Sequence, residues 1–222
     1  MKIELRDLSL AYGDGARLLG SVSLVIDPGA FVLIEGPSGS GKSSLLRLLN
    51  RLQEPTGGEI LFDGKSIRPC DVTTLRRCIG YVQQSPVMLD GSIADNLRWP
   101  FRLRSARGEP APSVERLRGL MDEFLLQDVE LTHEAATLSV GQKQRIALIR
   151  SLLTNPVVLL CDEPTSALDP ESREIVQESL ERLNVQQRIT VVVVTHLEFH
   201  AKRVSPQRYR LTKEHGLQMA PR

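Results

Sequence analysis

The chain has 222 residues, of which 41% are hydrophobic, and its 28 Lys and Arg residues nearly balance its 27 Asp and Glu residues. This length fits one large domain or one domain with an inserted lobe, and the near-neutral charge argues against a nucleic-acid partner. The sequence contains no uncharged apolar run of about 18 residues, so we expect no transmembrane segment.

The N-terminal stretch alternates apolar and charged residues from Ile3 to Asp7, which predicts a half-buried strand and not the apolar segment of a signal peptide. The three cysteines, Cys70, Cys78 and Cys161, are odd in number and lack the spacing of metal ligands. They predict reduced thiols and a cytoplasmic location, with Cys161 as a small buried residue in an apolar strand.

Several apolar stretches predict the first elements of an α/β fold. Ile3–Leu10 and Val22–Ile26 are predicted to pair as strands, with a loop at Gly13–Gly15 between them. The wholly apolar Phe31–Ile34 predicts a strand in a sheet that is covered on both faces. A helix is predicted to begin near Ser44.

The same signals continue along the chain. They predict a strand and turn at Ile60–Lys65, strands at Ile79–Val82, Val157–Leu160 and Ile189–Val194, and a helix at about Pro170–Leu183. Between about 90 and 137 the pattern changes to helices and turns, with a loop rich in Gly, Pro and Ser at 105–113. We therefore expect a single domain, in which residues 1–89 and 138–222 form an α/β core and about 90–137 form an inserted helical lobe.

A glycine-rich loop lies between a predicted strand and a predicted helix, which is the context of a phosphate-binding loop. Its glycines allow the chain to curl round a phosphate, and the helix directs the positive end of its dipole at the anion. Lys42 is expected to reach the β- and γ-phosphates, and the Ser43 hydroxyl to complete a Mg²⁺ shell. The predicted nucleotide-binding residues of the loop are Gly36, Pro37, Ser38, Gly39, Ser40, Gly41, Lys42, Ser43 and Ser44.

Two carboxylates, Asp162 and Glu163, follow directly after an apolar strand. A parallel strand delivers its last residue to the sheet edge at which ligands bind, so Asp162 is expected to hold Mg²⁺. Glu163 is the candidate that polarises the attacking water. An isolated Asp-Glu pair is often only a helix cap or a surface turn, but the apolar strand and the upstream phosphate loop favour the catalytic interpretation.

These features together resemble the ATP-binding-cassette (ABC) ATPases over about residues 3–211. The resemblance implies ATP as substrate, Mg²⁺ as cofactor, and a P-loop NTPase core with an antiparallel β subdomain and an inserted helical lobe. By their places in the family's motifs, Tyr12 stacks on adenine, Gln84 contacts Mg²⁺ and the attacking water, Ser166–Asp169 faces a second subunit, and His196 contacts the γ-phosphate. Tyr12 is also consistent with core packing at a strand end, and Gln83 is the adjacent alternative to Gln84.

The stretch Leu138–Gln142 matches the family's signature motif. In the family two subunits face each other head to tail, and each signature closes over the ATP held by the other subunit. The resemblance therefore places Ser139, Gly141 and Gln142 at a partner's ATP, where a hydroxyl and helix N–H groups can donate to the γ-phosphate. The third signature position is usually glycine but is Val140 here, and we expect it to loosen the closed dimer or slow turnover without abolishing the site.

The resemblance also implies a role. We expect a nucleotide-binding subunit that forms a homodimer on ATP binding and powers transport through a separate polytopic membrane permease, at the inner face of the cell membrane. The Asp95–Pro100 stretch resembles small prokaryotic subunits of phosphate import or metal (iron) export, and we favour metal export. A soluble member of the family in iron–sulphur assembly or cell division is the alternative. A small-molecule kinase is a third alternative, but it would leave the signature motif, Glu163 and His196 without roles.

The stretch Leu97–Arg102 combines the only tryptophan with a phenylalanine and two arginines. Aromatic and Arg side chains are enriched at interfaces, so this stretch predicts a docking site for the permease. Ordinary packing of the lobe is an equal alternative. Contact of Arg102, Arg104 and Arg107 with anionic lipid is a further one.

Overall fold

The computed structural model describes residues 1–11 and 17–220. The described strands are β1 (Ile3–Ala11), β2 (Arg17–Ile26), β3 (Phe31–Glu35), β4 (Gly57–Phe62), β5 (Lys65–Ser66), β6 (Ile79–Val82), β7 (Val158–Asp162), β8 (Thr190–Thr195), β9 (Gln207–Thr212) and β10 (Gly216–Met219). The α-helices are α1 (Lys42–Leu49), α2 (Val72–Cys78), α3 (Ile93–Arg98), α4 (Val114–Glu123), α5 (Val140–Leu152) and α6 (Pro170–Gln187).

The N-terminal strands form a four-stranded antiparallel sheet in the order β2-β1-β4-β5. As predicted, β1 pairs with β2, with Ile3 opposite Ile26. The predicted strand and turn at Ile60–Lys65 is also present, because β4 turns into β5 and Phe62 pairs with Lys65. The loop predicted at Gly13–Gly15 lies outside the described residues.

The second sheet has six strands in the order β10-β9-β3-β8-β7-β6, and the five strands from β9 to β6 run parallel. β3 lies inside this sheet, where four of its five residues are buried. The carboxyl ends of parallel strands meet at one edge, which is where ligands bind in open α/β sheets. The residues after β3, β6, β7 and β8 are therefore brought together.

The parallel sheet is covered on both faces, as its apolar strands predict. One face, with Val32, Ile34, Val192 and Val194, packs with α1 and the antiparallel sheet. The opposite face, with Leu33, Leu159, Cys161 and Val193, packs with the apolar residues of α5, α6 and the helical segment. This arrangement confirms the predicted α/β fold with an antiparallel β subdomain, and Cys161 is fully buried as expected.

The segment of residues 90–137 contains α3, α4 and three 3₁₀ turns at Trp99–Arg102, Arg104–Ala106 and Ala135–Thr137. A β-bridge between Ser92 and Glu134 joins its two ends, and the Ala135 N–H donates a further hydrogen bond to the Gly91 carbonyl. Leu117 and Leu120 of α4 join the same hydrophobic cluster as Leu33 of β3, so the segment packs on the sheet. Within the described ranges, no helix combines the length and the apolar character that crossing a bilayer requires.

Candidate nucleotide-binding and catalytic site

The phosphate loop connects the end of β3 to the start of α1. Gly41 is the N-cap of α1 with φ of 98°, and a Cβ there would lie 2.6 Å from Leu19 Cδ2. A Cβ on Gly36 would lie 2.2 Å from the carbonyl oxygen of Leu211. Only glycine allows the chain to curl in this way at both positions, which leaves the N–H groups at the start of α1 directed into the loop.

Lys42 lies at the centre of this loop, and its side chain is only 4% exposed. Its Nζ donates hydrogen bonds to the carbonyl oxygens of Gly36 at 2.8 Å and Pro37 at 3.0 Å. Glu163 Oε1 lies 3.6 Å from the same atom. A buried cation held by carbonyl groups and facing one carboxylate is placed to meet a phosphate anion.

Asp162 ends β7 and is almost fully buried. Its Oδ1 accepts a hydrogen bond from Ser43 Oγ at 2.7 Å, so the structure brings together two of the three residues predicted to contact Mg²⁺. Its Oδ2 accepts a hydrogen bond from the Tyr81 hydroxyl at 2.8 Å. Burial and this hydrogen bond raise the pKa of Tyr81 to about 12, so the phenol keeps its proton and acts as the donor.

Glu163 follows Asp162 with a left-handed backbone, φ of 46°, which is costly for a residue with a Cβ and is typical of functional sites. Its N–H donates to the carbonyl of Val194 at the end of β8, which fixes this turn. Glu163 Oε2 lies 2.7 Å from His196 Nδ1, a hydrogen-bonding distance. The turn therefore directs the Glu163 carboxylate towards both Lys42 and His196.

Gln84 completes this group of side chains. Its Nε2 donates to Glu163 Oε2 at 3.3 Å and to Ser166 Oγ at 3.2 Å. The adjacent Gln83 instead contributes its carbonyl oxygen, which accepts from Gln144 at 3.4 Å. Of the two glutamines, Gln84 is therefore the one that contacts Glu163.

A cavity of about 600 Å³ is lined by seven of the nine predicted loop residues, by three further predicted side chains and by Leu18, which was not predicted. Its walls are Leu18, the loop residues Pro37, Ser38, Gly39, Gly41, Lys42, Ser43 and Ser44, and the three side chains of Gln84, Glu163 and His196. Ser40 is buried nearby, and its Oγ has no hydrogen-bond partner among the described residues. The predicted contact of Tyr12 with adenine lies outside the described residues.

The signature residues do not line this cavity. Ser139 caps α5 through a capping box with Gln142, in which each side chain accepts a hydrogen bond from the other's backbone N–H, at 3.2 Å and 2.9 Å. Val140 is half exposed, and Gly141 is packed against the start of α6, since a Cβ there would lie 2.6 Å from Ser172 Oγ. The first turn of α5 therefore lies outside the cavity at the phosphate loop of its own chain, with Val140 exposed and Gly141 buried.

Two contacts of this site were not predicted from the sequence. The sequence predicts Tyr81 only as part of the strand β6, whereas in the structure its hydroxyl holds Asp162. Ser166 was assigned to a loop that faces a second subunit, but its hydroxyl also donates to the Glu163 carbonyl at 3.1 Å. One sequence feature could have indicated this role of Tyr81. A tyrosine hydroxyl near the end of a strand of the predicted sheet lies close to the ligand-binding edge and needs a hydrogen-bond partner.

A second cavity, of about 500 Å³, lies between the sheet and the 90–137 segment. We call it the groove. Arg76 and Arg150 contribute cations, and Gly80 and Tyr81 of β6 contribute to its inner wall. Its exposed apolar side chains are Leu52, Val87, Trp99 and Leu103. Trp99 therefore lies at a surface and not in the core of the segment, whereas the neighbouring Leu97 is fully buried.

The sequence profile of the family described as "ABC transporter" matches residues 19–166, which is more than half of the chain. The chain belongs to the ABC transporter family. The matched range includes the phosphate loop, the signature and both carboxylates.

Relatives and solved structures agree with this assignment. The chain is 44% identical over 195 residues to ABC transporter I family member 17 of Arabidopsis thaliana, covering 88% of this chain and 73% of that protein. It is 38% identical over 194 residues to the probable iron export ATP-binding protein FetA of Escherichia coli, covering 87% and 84%. A dimeric structure of the ATP-binding cassette MJ0796 in a post-hydrolysis state, bound to ADP and Pi, matches with a TM-score of 0.80 and 33% identity, covering 98% of both chains.

As a member of this family the chain binds ATP and is an ATPase. The cavity at the phosphate loop fits this activity, since it combines a buried cation, helix N–H groups and a carboxylate within reach of one another.

Proposed function

We propose that this chain is the ATP-hydrolysing subunit of a transporter, that it dimerises on ATP, and that it drives transport through a separate membrane permease at the inner face of the membrane. The observation that carries the catalytic part is the position of Glu163, which lies between Lys42, Gln84 and His196 at the phosphate loop. A carboxylate in this place can accept the proton of a water molecule beside a γ-phosphate.

The side chains then have separate tasks in hydrolysis. Lys42 and the N–H groups of the loop hold the phosphates and stabilise the charge that develops on their oxygens. Glu163 accepts the water's proton as the water oxygen bonds to the γ-phosphorus and the bond to the ADP oxygen breaks. His196 orients the Glu163 carboxylate and donates a hydrogen bond to the γ-phosphate, a role supported by its contact with Glu163 and its position in the lining of the cavity.

We assign Mg²⁺ to Ser43 and Asp162, with Gln84 at the same edge of the cavity. Magnesium sites commonly combine one or two carboxylates with phosphate oxygens and water, and a hydroxyl and a buried carboxylate that are 2.7 Å apart fit that donor set. When bound, Mg²⁺ neutralises phosphate charge. Ser43 and Asp162 would hold and orient the ion, and phosphate oxygens and water would supply its other ligands.

The groove has the features of a docking site for a protein partner. Its four exposed apolar side chains lie beside two arginines, and exposed apolar patches of this kind mark interaction sites. We propose that the permease docks in this groove. Tyr81, which lines the groove, also holds Asp162.

We further propose metal export as the direction and class of transport. The support is the 38% identity to FetA, whose name describes probable iron export, together with the resemblance of the Asp95–Pro100 stretch. The permease determines the cargo.

The test uses a trapped dimer. Glu163→Gln replaces the proton acceptor by an amide, which cannot take a proton, so we expect ATP to remain bound and the dimer to remain closed. The tagged variant is expressed in its native cells, membranes are solubilised gently with Mg-ATP, and the proteins that co-purify are identified. We expect a polytopic membrane protein whose recovery depends on ATP.

The matched control is Lys42→Ala/Glu163→Gln, which removes the cation that holds the phosphates and is expected to lose the ATP dependence. Recovery of soluble assembly proteins alone, with the chain absent from membranes, would contradict the proposed transport role and move the chain to the iron–sulphur assembly or cell-division class.

A further inference from the structure

The carboxylate of Asp162 has a side-chain donor on each of its oxygens. Ser43 Oγ donates to Oδ1 at 2.7 Å, and the Tyr81 hydroxyl donates to Oδ2 at 2.8 Å. Asp162 itself is 3% exposed, so little water is available to replace a lost donor. The orientation of this carboxylate is therefore set by two hydroxyl groups from two different elements.

The sheet register explains why Tyr81 reaches Asp162. Tyr81 of β6 pairs with Leu160 of β7, and successive side chains on a strand alternate between its faces. Leu160 and Asp162 therefore share one face of the sheet, and the long Tyr81 side chain extends along that face to the carboxylate. Its ring packs against the hydrophobic cluster on this side of the sheet.

The surroundings of Tyr81 indicate that its hydroxyl is held in place. The ring is packed on one side by the core and lines the groove on the other. Leu52, Tyr81 and Gln83 also line a smaller cavity with Ser43, Arg47 and Asp162, so the phenol stands between the groove and the ion-binding carboxylate. A phenylalanine at this position would keep the packing and remove the hydroxyl, with its hydrogen bond to Asp162 and its contact with Arg47.

We propose that Tyr81 is a positioning residue that holds the Asp162 carboxylate in the orientation that binds Mg²⁺. This inference rests on the proposed role of Asp162 as an ion ligand. Ser43, the other proposed ion ligand, donates to Oδ1, so a donor fixed on Oδ2 keeps Oδ1 directed at Ser43, where the ion would bind. Hydrogen-bond partners of metal-binding residues typically change metal affinity by about 10–100-fold when they are removed.

The experiment measures ion binding directly. The full chain is saturated with ADP, Mn²⁺ is added as the probe for Mg²⁺, and free Mn²⁺ is read from its electron paramagnetic resonance signal. We expect Tyr81→Phe to weaken Mn²⁺ binding to the protein–ADP complex by about tenfold. The binding of a fluorescent ADP analogue in EDTA is expected to stay unchanged, which separates an effect on the ion from a general loss of structure.

Tyr209→Phe is the matched control, because Tyr209 lies on β9 and loses a phenol hydroxyl from the same sheet without touching Asp162. It should bind Mn²⁺ as the unmodified chain does. Tyr81→Met provides a second variant without the hydroxyl, should the phenylalanine variant fold poorly. Unchanged Mn²⁺ affinity in a folded Tyr81 variant overturns the inference.

Asp162→Asn separates the role of Tyr81 from the role of Asp162 as an ion ligand. If this variant loses Mn²⁺ binding while the Tyr81 variants retain it, only the role of Tyr81 is wrong. If Asp162→Asn binds Mn²⁺ normally, the assignment of Asp162 as an ion ligand is wrong as well.

Discussion

Glu163 has a strained backbone and side-chain contacts on both sides of its carboxylate. Its φ of 46° turns the chain so that the carboxylate faces Lys42 and His196 and does not continue the line of β7. Left-handed backbones in residues with a Cβ cost roughly 1–3 kcal/mol and persist where the surroundings fix them. The hydrogen bond from its N–H to Val194 provides that fixation, and the strain places the proposed proton acceptor.

Val140 is the residue at which this chain departs from the usual signature. Its side chain is half exposed on the first turn of α5, where the family arrangement brings a second subunit close. Valine adds methyl groups to a surface that must approach another chain.

We expect Val140→Gly to favour the closed dimer by about 1 kcal/mol, the low end of the cost of adding bulk to a packed contact. The measurement is the dimer fraction by analytical ultracentrifugation at a series of ATP concentrations, in chains that also carry Glu163→Gln. A midpoint that does not move, or that moves to higher ATP, contradicts this account of Val140.

Among the helices and strands, the sequence predicts the ones whose residues follow a clear apolar pattern. β3, β6, β7 and β8 are fully or largely apolar, and each was predicted to within a few residues. α6 continues to Gln187, one turn past its predicted end, because Arg188 provides a left-handed C-cap that the pattern does not reveal.

Other elements depend on contacts that the sequence does not contain. β10 has no buried residue and exists because it pairs with β9, which in turn pairs with β3. α2 buries one residue, Leu75, and its start is fixed by the Asp71 side chain, which accepts a hydrogen bond from Thr74 N. Local patterns are weak in such elements, so they were not predicted.

In the nucleotide-binding site, too, the sequence predicts individual motifs but not the contacts between distant residues. The phosphate loop, Asp162 and Glu163 have strong sequence signals, because their chemistry requires particular residues in a fixed order. The hydrogen bond of Tyr81 to Asp162 joins residues that are 81 positions apart, and it depends on the pairing of β6 with β7. That pairing is a property of the sheet and not of either stretch.

The contact between α5 and α6 gives a prediction at the scale of elements. A Cβ added at Gly141 would lie 2.6 Å from Ser172 Oγ and 3.0 Å from Ser172 Cβ. Gly141→Ala is therefore expected to destabilise the fold by about 1–3 kcal/mol, the usual cost of overpacking. Urea unfolding measures the free energy of unfolding.

Ser172→Gly removes both of the atoms that the new Cβ would meet. The double variant Gly141→Ala/Ser172→Gly should therefore lose less stability than the sum of the two single changes. Additive losses would show that the close approach of α5 to α6 does not limit residue 141.

In the whole molecule, the fold separates three functional surfaces. The phosphate loop and the carboxylates lie at one edge of the parallel sheet, the signature lies at the first turn of α5, where Val140 is exposed, and the groove lies between the sheet and the 90–137 segment. We propose that ATP, a second subunit and a permease use these surfaces together. Tyr81 lies between the first and the third.

The proposed docking in the groove gives a prediction for the assembled transporter. Leu103 is 46% exposed in the groove, so Leu103→Asp should leave the thermal midpoint of the isolated chain nearly unchanged. Docking would bury the new carboxylate in place of an apolar contact, and we expect at least tenfold less permease to co-purify. Removing a charge from water costs several kcal/mol, and a nearby cation such as Arg76 or Arg150 offsets this only with good geometry.

Val185→Asp is the matched control, because Val185 is similarly exposed on α6 and does not line the groove. It should recover as much permease as the unmodified chain. Equal recovery with both variants would place the permease elsewhere on the surface.

The most direct measurement is the rate of ATP hydrolysis by Glu163→Gln in a single turnover, next to its affinity for ATP. Removing a general base costs about 10²–10⁴-fold in rate, so we expect hydrolysis at least 100-fold slower and ATP binding that is retained. Hydrolysis at the unmodified rate, with ATP binding intact, would contradict the assignment of Glu163 as the residue that activates the attacking water.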